Sequence, residues 1–178
     1  MAINLTRTRT IVAALTVSAA AFGTWQAREG YTDHAVIPTK GDVPTIGHGS
    51  TRYEDGTPVK MGDTITRQRA AELARNLMTK DERALVQSLP ADTKLAQEEY
   101  DEYVDFIGQF GIGNWRKSSM RREIISGNYA AACKGLLNYR FAADYDCSTM
   151  VNGQPNKRCW GVWTRQQARY NHCMGVQR

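Results

Sequence analysis

Apolar residues recur every three or four positions along two long stretches of the chain, which is the spacing of one face of an α-helix. The first stretch covers residues 65–89, where Thr64 or Thr66 can cap the start and a proline lies beyond the end. The second covers residues 96–110 and ends before a glycine. The pattern therefore predicts two long helices that each bury one face in a core.

Shorter helices are predicted towards the C-terminus. Residues 119–126 form the first, which a glycine closes, and residues 128–139 form the second, with Asn128 as its cap. The last helix is predicted to begin at Thr164, because Thr164 and Gln167 have the spacing of a capping box.

Strand signals are sparse along the chain. Only residues 42–62 have the pattern of a β-hairpin, with Asp55-Gly56 as the best turn. Residues 141–163 are polar and rich in turn formers, and we interpret them as a disulfide-held loop. The sequence therefore predicts an α+β protein that is mostly helical, with a small β-hairpin lobe and a cleft between the lobes.

The N-terminal segment is the most apolar part of the chain. Residues 10–27 carry no charge and follow Arg7 and Arg9, and their length is barely enough to span a bilayer. Many of them are alanine, serine or threonine, which hold a segment in lipid only weakly. A cleaved signal peptide, a permanent anchor and a segment that later leaves the bilayer are three open interpretations. We favour the last, with residues 1–27 as a releasable signal anchor and residues 28–178 as one domain.

The four cysteines all lie in the C-terminal part of the chain. An even number of cysteines in an exported protein suggests disulfides, and three connectivities are possible. We favour Cys147 with Cys159, which would close the loop, and Cys133 with Cys173, which would join two helices. The chain has no Cys-x-x-Cys pair, so neither a metal nor another cofactor is expected.

The formal net charge of +5 favours an anionic polymer as partner. Nucleic acid is such a polymer, but the basic residues are scattered rather than clustered among aromatic ones. An exported protein is also poorly placed to meet nucleic acid, so we expect no nucleic-acid partner.

The candidate chemistry lies around one glycine-rich turn, where Glu29, Asp42 and Thr45 follow each other closely in sequence. Hydrolysis of a glycosidic bond requires a protonated carboxyl group that donates to the leaving oxygen, and an ionised carboxylate on the other side. Glu29 and Asp42 are the candidates for these two roles.

These residues belong to a longer set of motifs that resembles a known family. The set comprises Arg28-Glu29-Gly30-Tyr31, Pro44-Thr45-Ile46-Gly47-His48-Gly49, Tyr100-Asp101-Glu102-Tyr103-Val104-Asp105-Phe106 with Gly111-Ile112-Gly113, Met120-Arg121-Arg122-Glu123-Ile124, and Gly127-Asn128-Tyr129-Ala130-Ala131-Ala132. It resembles the phage-type lysozymes, or endolysins, of glycoside hydrolase family 24. The apolar leader resembles that of the signal-arrest-release endolysins, which are first tethered to the membrane and then refold.

The resemblance implies that Glu29 is the general acid and that Thr45 holds the attacking water. The family pattern places a second carboxylate six residues before the threonine, and that position is Thr39 in this chain. We predict that Asp42, the nearest carboxylate in the turn, acts as the base instead. Asp33 and Thr39 are the alternatives.

The function that the resemblance implies is a muramidase for host cell lysis, which cleaves the β-1,4 bond between N-acetylmuramic acid and N-acetylglucosamine. Gln109 lies about where the family has an amide that contacts the glycan. The enzyme would be tethered and inactive at the host inner membrane, then active in the periplasm, and we expect a monomer. The rival functions are a lytic transglycosylase, for which one acid suffices, and a non-catalytic wall-binding membrane protein.

Overall fold

The structure is a computed structural model that describes residues 8–38, 41–142 and 144–177. The α-helices in these ranges are α1 (Ala19–Glu29), α2 (Arg67–Gln87), α3 (Gln97–Lys117), α4 (Ser119–Ile125), α5 (Tyr129–Gly135) and α6 (Trp160–Met174). Short 3₁₀ helices occupy Val12–Ala14 and Leu136–Asn138. The fold is mostly helical, as predicted.

Short antiparallel strand pairs accompany the helices. The strands are β1 (Thr10–Ile11), β2 (Thr32–Val36), β3 (Thr45–Gly47), β4 (Lys94–Leu95), β5 (Phe141–Ala142), β6 (Tyr145–Asp146), β7 (Met150–Val151) and β8 (Gln154–Pro155). They pair as β1 with β4, β2 with β3, β5 with β6, and β7 with β8. Together with the helices they make the predicted α+β class.

The chain divides into two compact units. The hairpin unit is Thr16–Leu85, and the helical unit is the chain up to Leu15 together with the chain from Val86 onward. The core of the hairpin unit consists of Ala35, Ile46, Val59, Ile65, Ala70 and Leu73. It joins the inner face of β2 and β3 to the apolar face of α2, and so fixes the hairpin against a long helix.

Helix α2 confirms the first predicted helix, with ends two residues inside the predicted bounds. Leu73 and Leu85 are fully buried, as the periodicity requires. The backbone N–H of Arg69 donates to the Thr66 hydroxyl at 3.2 Å, so Thr66 rather than Thr64 is the cap.

The hairpin prediction for residues 42–62 is confirmed only around its turn, where Arg52 and Pro58 form an isolated antiparallel bridge, and it misses the longer strand pair of this region. The first strand of the observed pair lies earlier in the chain, because Thr32 pairs with Gly47 and Val36 with Thr45. Strand β2 has two exposed charged or titratable side chains in a row, Asp33 and His34, so it lacks the alternation of a typical strand. The Asp55-Gly56 turn is present, with the Gly56 N–H donating to the Tyr53 carbonyl.

The first part of α3 ends before Gly111, as predicted. Gly111 has a φ of 81° and a ψ of 155°, which are not helical values, and a second helical stretch that was not predicted follows it up to Lys117. Trp115 in the second part is fully buried, and its ring N–H donates to the Ser88 hydroxyl at 2.7 Å. This anchor holds the chain helical after the glycine.

The two later helix caps are corrected by the structure. Asn128 makes no side-chain cap bond and instead donates to Glu123 at 3.1 Å. Helix α6 begins at Trp160, and the Thr164 hydroxyl donates to the Gly161 carbonyl at 3.1 Å. A threonine hydroxyl inside a helix commonly bonds to the preceding turn, so the apparent capping box did not mark a start.

The disulfide prediction is confirmed. Cys133 is bonded to Cys173 and joins α5 to α6, whereas Cys147 is bonded to Cys159. The second bond lies within residues 141–163, which were interpreted as a loop but contain two short hairpins. Hairpin β7–β8 lies inside the segment that the bond closes, and β5–β6 directly precedes it. A short cross-linked segment needs little apolar burial to stay folded, because the bond restricts the unfolded chain.

The segment before α1 is folded onto the helical unit. Thr10 and Ile11 pair with Leu95 and Lys94, and Val12, which is 1% exposed, donates its N–H to the Thr93 carbonyl. Among the residues that the structure describes, no helix is both long and apolar enough to cross a membrane.

Asp81 on α2 gives a pH-dependent prediction for stability. Burial raises the pKa of its carboxyl group from 3.8 to about 6, so the folded protein binds a proton more tightly than the unfolded chain. The free energy of unfolding should therefore fall as the pH rises from 4 to 6. Asp81→Asn should remove this loss and stabilise the protein by ~1–2 kcal/mol at neutral pH.

Urea unfolding of the unchanged protein and of Asp81→Asn at the two ends of this pH range measures the difference in stability. Glu72→Gln, at an exposed acid of the same helix, is the control, and an Asp81→Asn protein no more stable than this control at neutral pH would contradict the prediction.

Candidate active site

Glu29 is the last residue of α1. The helix begins after Ser18, whose hydroxyl accepts the Ala21 N–H at 3.1 Å. It ends because Gly30 has a φ of 71°, a conformation that residues with a side chain rarely adopt. The chain turns there directly into β2, so the half-buried Glu29 side chain lies where the helix meets the hairpin.

Gly49 lies beside the Glu29 carboxyl group. A Cβ atom at this position would be 3.7 Å from Oε2 of Glu29, and Gly49 itself has a φ of 82°. Gly49 therefore presents no side chain to the Glu29 carboxyl group. Gly47 serves packing instead, since a Cβ atom there would come within 2.9 Å of the Ala70 side chain on α2.

Thr45 begins β3 on the same hairpin. Its hydroxyl donates to the Val36 carbonyl of β2 at 3.3 Å, across a paired position of the ladder. The side chain is half-buried. Thr45 and Gly47 are two residues apart, so their Cα atoms are separated by roughly 7 Å along the strand.

The carboxylates considered for the base occupy different environments. Asp42 is exposed, in the segment that leads into β3. Asp33 is exposed on β2 and accepts a hydrogen bond from His34 at 2.6 Å, and this bond lowers the pKa of Asp33. Thr39 lies outside the described residues. The structure thus presents Asp42 and Asp33 to solvent and Glu29 at the end of a helix.

Gln109 belongs to α3 in the helical unit. Its amide oxygen accepts from Arg169 at 2.8 Å, and Arg169 also donates to Asp105. Gln109 is exposed. Its proposed contact with the glycan stays a prediction.

His48 is a residue of this site to which the sequence assigned no role. It is 6% exposed, and its Nδ1 bonds to the carbonyl oxygen of Gly30, the residue after Glu29. Its ring lies 6.1 Å from that of Trp25 and 5.8 Å from that of Tyr31, between ring centroids. The one available signal was its position between two glycines directly after β3.

The part of the chain that the structure describes contains no group of three or more His, Cys, Asp or Glu side chains that could hold a metal ion. The end of α1 and the hairpin carry the Glu29 carboxyl group, the Thr45 hydroxyl and the exposed carboxylates of Asp33 and Asp42.

A helix that ends in a glutamate beside a glycine-rich hairpin, in a mostly helical α+β protein, is the arrangement of a lysozyme-like glycoside hydrolase. The family model described as phage lysozyme matches residues 26–161. This match covers most of the chain, and the chain belongs to the phage lysozyme family. The protein is thus a glycoside hydrolase of the lysozyme class, which acts on peptidoglycan.

Individual relatives agree with this assignment. The endolysin of Salmonella phage P22 is 32% identical over 100 residues, which make up 56% of this chain and 67% of that protein. The endolysin from Escherichia coli O157:H7 phage FAHEc1 has a TM-score of 0.72 at 22% identity, covering 90% of this chain and 94% of that one. The active form of the P1 phage endolysin Lyz has a TM-score of 0.67 at 15% identity, covering 93% and 89%. These two structures show that the fold is shared.

Proposed function

We propose that the protein is a muramidase that hydrolyses the β-1,4 bond between N-acetylmuramic acid and N-acetylglucosamine, with Glu29 as proton donor, Asp42 as base and Thr45 as the residue that aligns water. The observation that carries the proposal is the place of Glu29. It ends a helix, and its carboxyl group lies against the Gly49 backbone in the hairpin that also carries Thr45.

Glu29 suits the role of acid because its surroundings fix it. Helix α1 holds its backbone on one side, and the Gly30 turn into β2 holds it on the other. A general acid must keep its proton within hydrogen-bond distance of the leaving oxygen, so a fixed position is an advantage.

Thr45 suits the alignment of water because its hydroxyl is oriented by a single acceptor. The hydroxyl hydrogen points at the Val36 carbonyl, which leaves the oxygen lone pairs available to accept from a water molecule. Thr45 lies four residues before Gly49, the residue beside the Glu29 carboxyl group, so a sugar bound along this segment could meet both the acid and a water on Thr45.

Asp42 is the preferred base. Its exposure favours the ionised form that a base requires, and it lies three residues before Thr45. Asp33 is less suitable, because its carboxylate already accepts from His34. An inverting reaction would place the Asp42 and Glu29 carboxyl groups roughly 6.5–9.5 Å apart with substrate bound.

Asp42→Asn is expected to lower kcat by roughly 10²–10⁴, because the amide cannot accept the proton of the attacking water. The rate of reducing-end release from murein strands measures this effect. Asp33→Asn is the matched control and should retain most activity. Near-normal turnover by Asp42→Asn with a large loss in Asp33→Asn would move the role of base to Asp33.

The product of the reaction separates hydrolysis from transglycosylation. Both side chains proposed as bases are exposed rather than packed beside Glu29, and a transglycosylase needs only the acid. Mass spectrometry of murein digested by the protein should show saccharides that have gained one water per cleaved bond. Anhydro-sugar products lacking that water would support the transglycosylase instead.

We also propose that residues 1–27 act first as a membrane anchor at the host inner membrane and are then released into the periplasm, where they fold with the domain of residues 28–178 into the active enzyme. Two observations support this order. Residues 10–27 are free of charge, as an anchor requires, and yet Thr10–Ile11 and Val12 have protein partners in the folded chain. The segment is therefore compatible both with the bilayer and with the folded protein.

Cell fractionation before and after collapse of the membrane potential tests the release. The protein is expected to move from the membrane fraction to the soluble periplasm at unchanged mass. A shorter soluble form would instead show signal cleavage, and retention in the membrane would show a permanent anchor.

A further inference from the structure

We propose that His48 is a positioning residue for the catalytic acid, and that it acts by holding the peptide group that follows Glu29. The inference rests on the proposed role of Glu29. It concerns a side chain that bonds to residues on both sides of Glu29 in the chain, Gln26 and Gly30.

The first contact fixes the end of α1. Nδ1 of His48 bonds to the Gly30 carbonyl oxygen. A carbonyl oxygen can only accept, so Nδ1 must carry the hydrogen and donate it. The peptide plane directly after the Gly30 turn is thereby tied to the turn after β3 that includes His48 and Gly49.

The second contact reaches one turn back along the helix. The Gln26 side-chain amide lies 3.3 Å from Nε2 of His48 and can donate to it when Nδ1 carries the hydrogen. Gln26 also accepts the Gly30 N–H with its backbone carbonyl at 3.2 Å. One imidazole ring therefore bridges the start and the end of the last turn of α1, and Glu29 lies within that turn.

Packing leaves the ring little freedom to move. His48 is 6% exposed and lies between the rings of Trp25 and Tyr31. Tyr31 is itself fixed, because its hydroxyl donates to the Ile65 carbonyl at 2.9 Å. The bridge is thus anchored in the same apolar cluster that holds the hairpin on α2.

The consequence for the acid is geometric. Gly49, where a Cβ atom would lie 3.7 Å from the Glu29 carboxyl group, is the next residue after His48. If the bridge is lost, the end of α1 and the glycine turn can move independently. A displacement of about 1 Å at a catalytic group can lower the rate by about 100-fold.

Two matched variants separate the hydrogen bond from the packing. His48→Phe keeps a ring between Trp25 and Tyr31 but has no donor, whereas His48→Asn keeps a donor near the position of Nδ1 but loses the ring. If the bond to Gly30 positions the acid, His48→Phe should lower kcat by about 10- to 100-fold with KM changed less than threefold. His48→Asn should recover most of that loss.

The measurement is kcat and KM on soluble, uncross-linked murein strands, with thermal unfolding as a check that each variant is folded at the assay temperature. Full kcat in a folded His48→Phe protein would overturn the proposal, as would equal losses in both variants that follow their loss of stability. ¹⁵N chemical shifts of the His48 ring give a second readout, because the proposal requires a hydrogen on Nδ1. A neutral ring with its hydrogen on Nε2 alone would also overturn it.

Glu29→Gln, measured in parallel, distinguishes failure of the proposed role of His48 from failure of the proposed role of Glu29. An inactive Glu29→Gln protein with a fully active His48→Phe protein would remove the role of His48 and leave the acid in place. An active Glu29→Gln protein would remove the proposed acid itself, whatever the His48 variants show.

Discussion

Glu29→Gln is expected to abolish measurable turnover, with kcat lowered by at least about 10³. The glutamine side chain has nearly the same shape, so the half-buried place at the end of α1 stays filled. Its amide, however, cannot transfer a proton to the leaving oxygen, and without that proton the sugar alkoxide is a poor leaving group. Reducing-end release from murein strands measures the loss.

Wall binding in the same variant decides between an enzyme and a binding protein. Glu29→Gln should still sediment with insoluble murein, because the variant removes no positive charge from a protein of net charge +5. Glu72→Gln, at an exposed acid of α2, is the control for charge and should keep full activity. Unchanged lysis and unchanged binding by Glu29→Gln would contradict the catalytic role and leave the wall-binding interpretation.

The long helices could be predicted from sequence because their periodicity records burial directly. The buried residues of α2 and α3 recur every three or four positions on one face of each helix, and this pattern can be recognised within a short stretch of sequence. Gly111 ends the first part of α3, as its residue type predicts, but the helical stretch after it was missed, and there the buried Trp115 contacts Ser88. Such a contact between distant residues leaves no local pattern.

The candidate site also combines residues that local motifs reveal with a residue whose contacts are distant in sequence. Glu29, Gly30 and Thr45 belong to short motifs, so a resemblance to a family is enough to suggest their roles. The function of His48 depends on contacts with Gln26 and with Gly30, which is 18 residues away in sequence. No property of a single histidine between glycines predicts those partners.

The N-terminal segment is ambiguous in sequence for a physical reason. The same apolar side chains can be removed from water by lipid or by the protein, and hydrophobicity alone does not distinguish the two. The protein partner of β1 is β4, which follows more than eighty residues later. Only the structure shows that this alternative to the bilayer is available.

Arg9→Met is expected to destabilise the folded protein by about 3 kcal/mol, because it leaves a buried carboxylate without its cation. Glu99 is fully buried and accepts from Arg9 at 2.8 and 3.1 Å, as well as from the Ala96 N–H at 2.7 Å and the Gln177 amide at 2.6 Å. The Arg9 guanidinium also stacks on the Tyr129 ring, 3.8 Å from its centroid. Because the Arg9 side chain is 26% exposed, we expect a loss of stability at the lower end of the range for broken buried ion pairs.

Urea unfolding of the soluble protein measures this loss, and the double variant Arg9→Met with Glu99→Gln tests its cause. Neutralising Glu99 as well should recover part of the stability, since no unpaired charge then remains in the core. Lys117→Met, at an exposed position, is the control.

In the tethered form the anchor would hold Arg9 on the cytoplasmic side of the bilayer, away from Glu99 in the periplasm. The pair can then form only after release, so Arg9→Met should also increase the fraction of protein that stays in the membrane. A single variant as stable as the Lys117 control, or a double variant less stable than the single one, would show that the pair does not stabilise the released form.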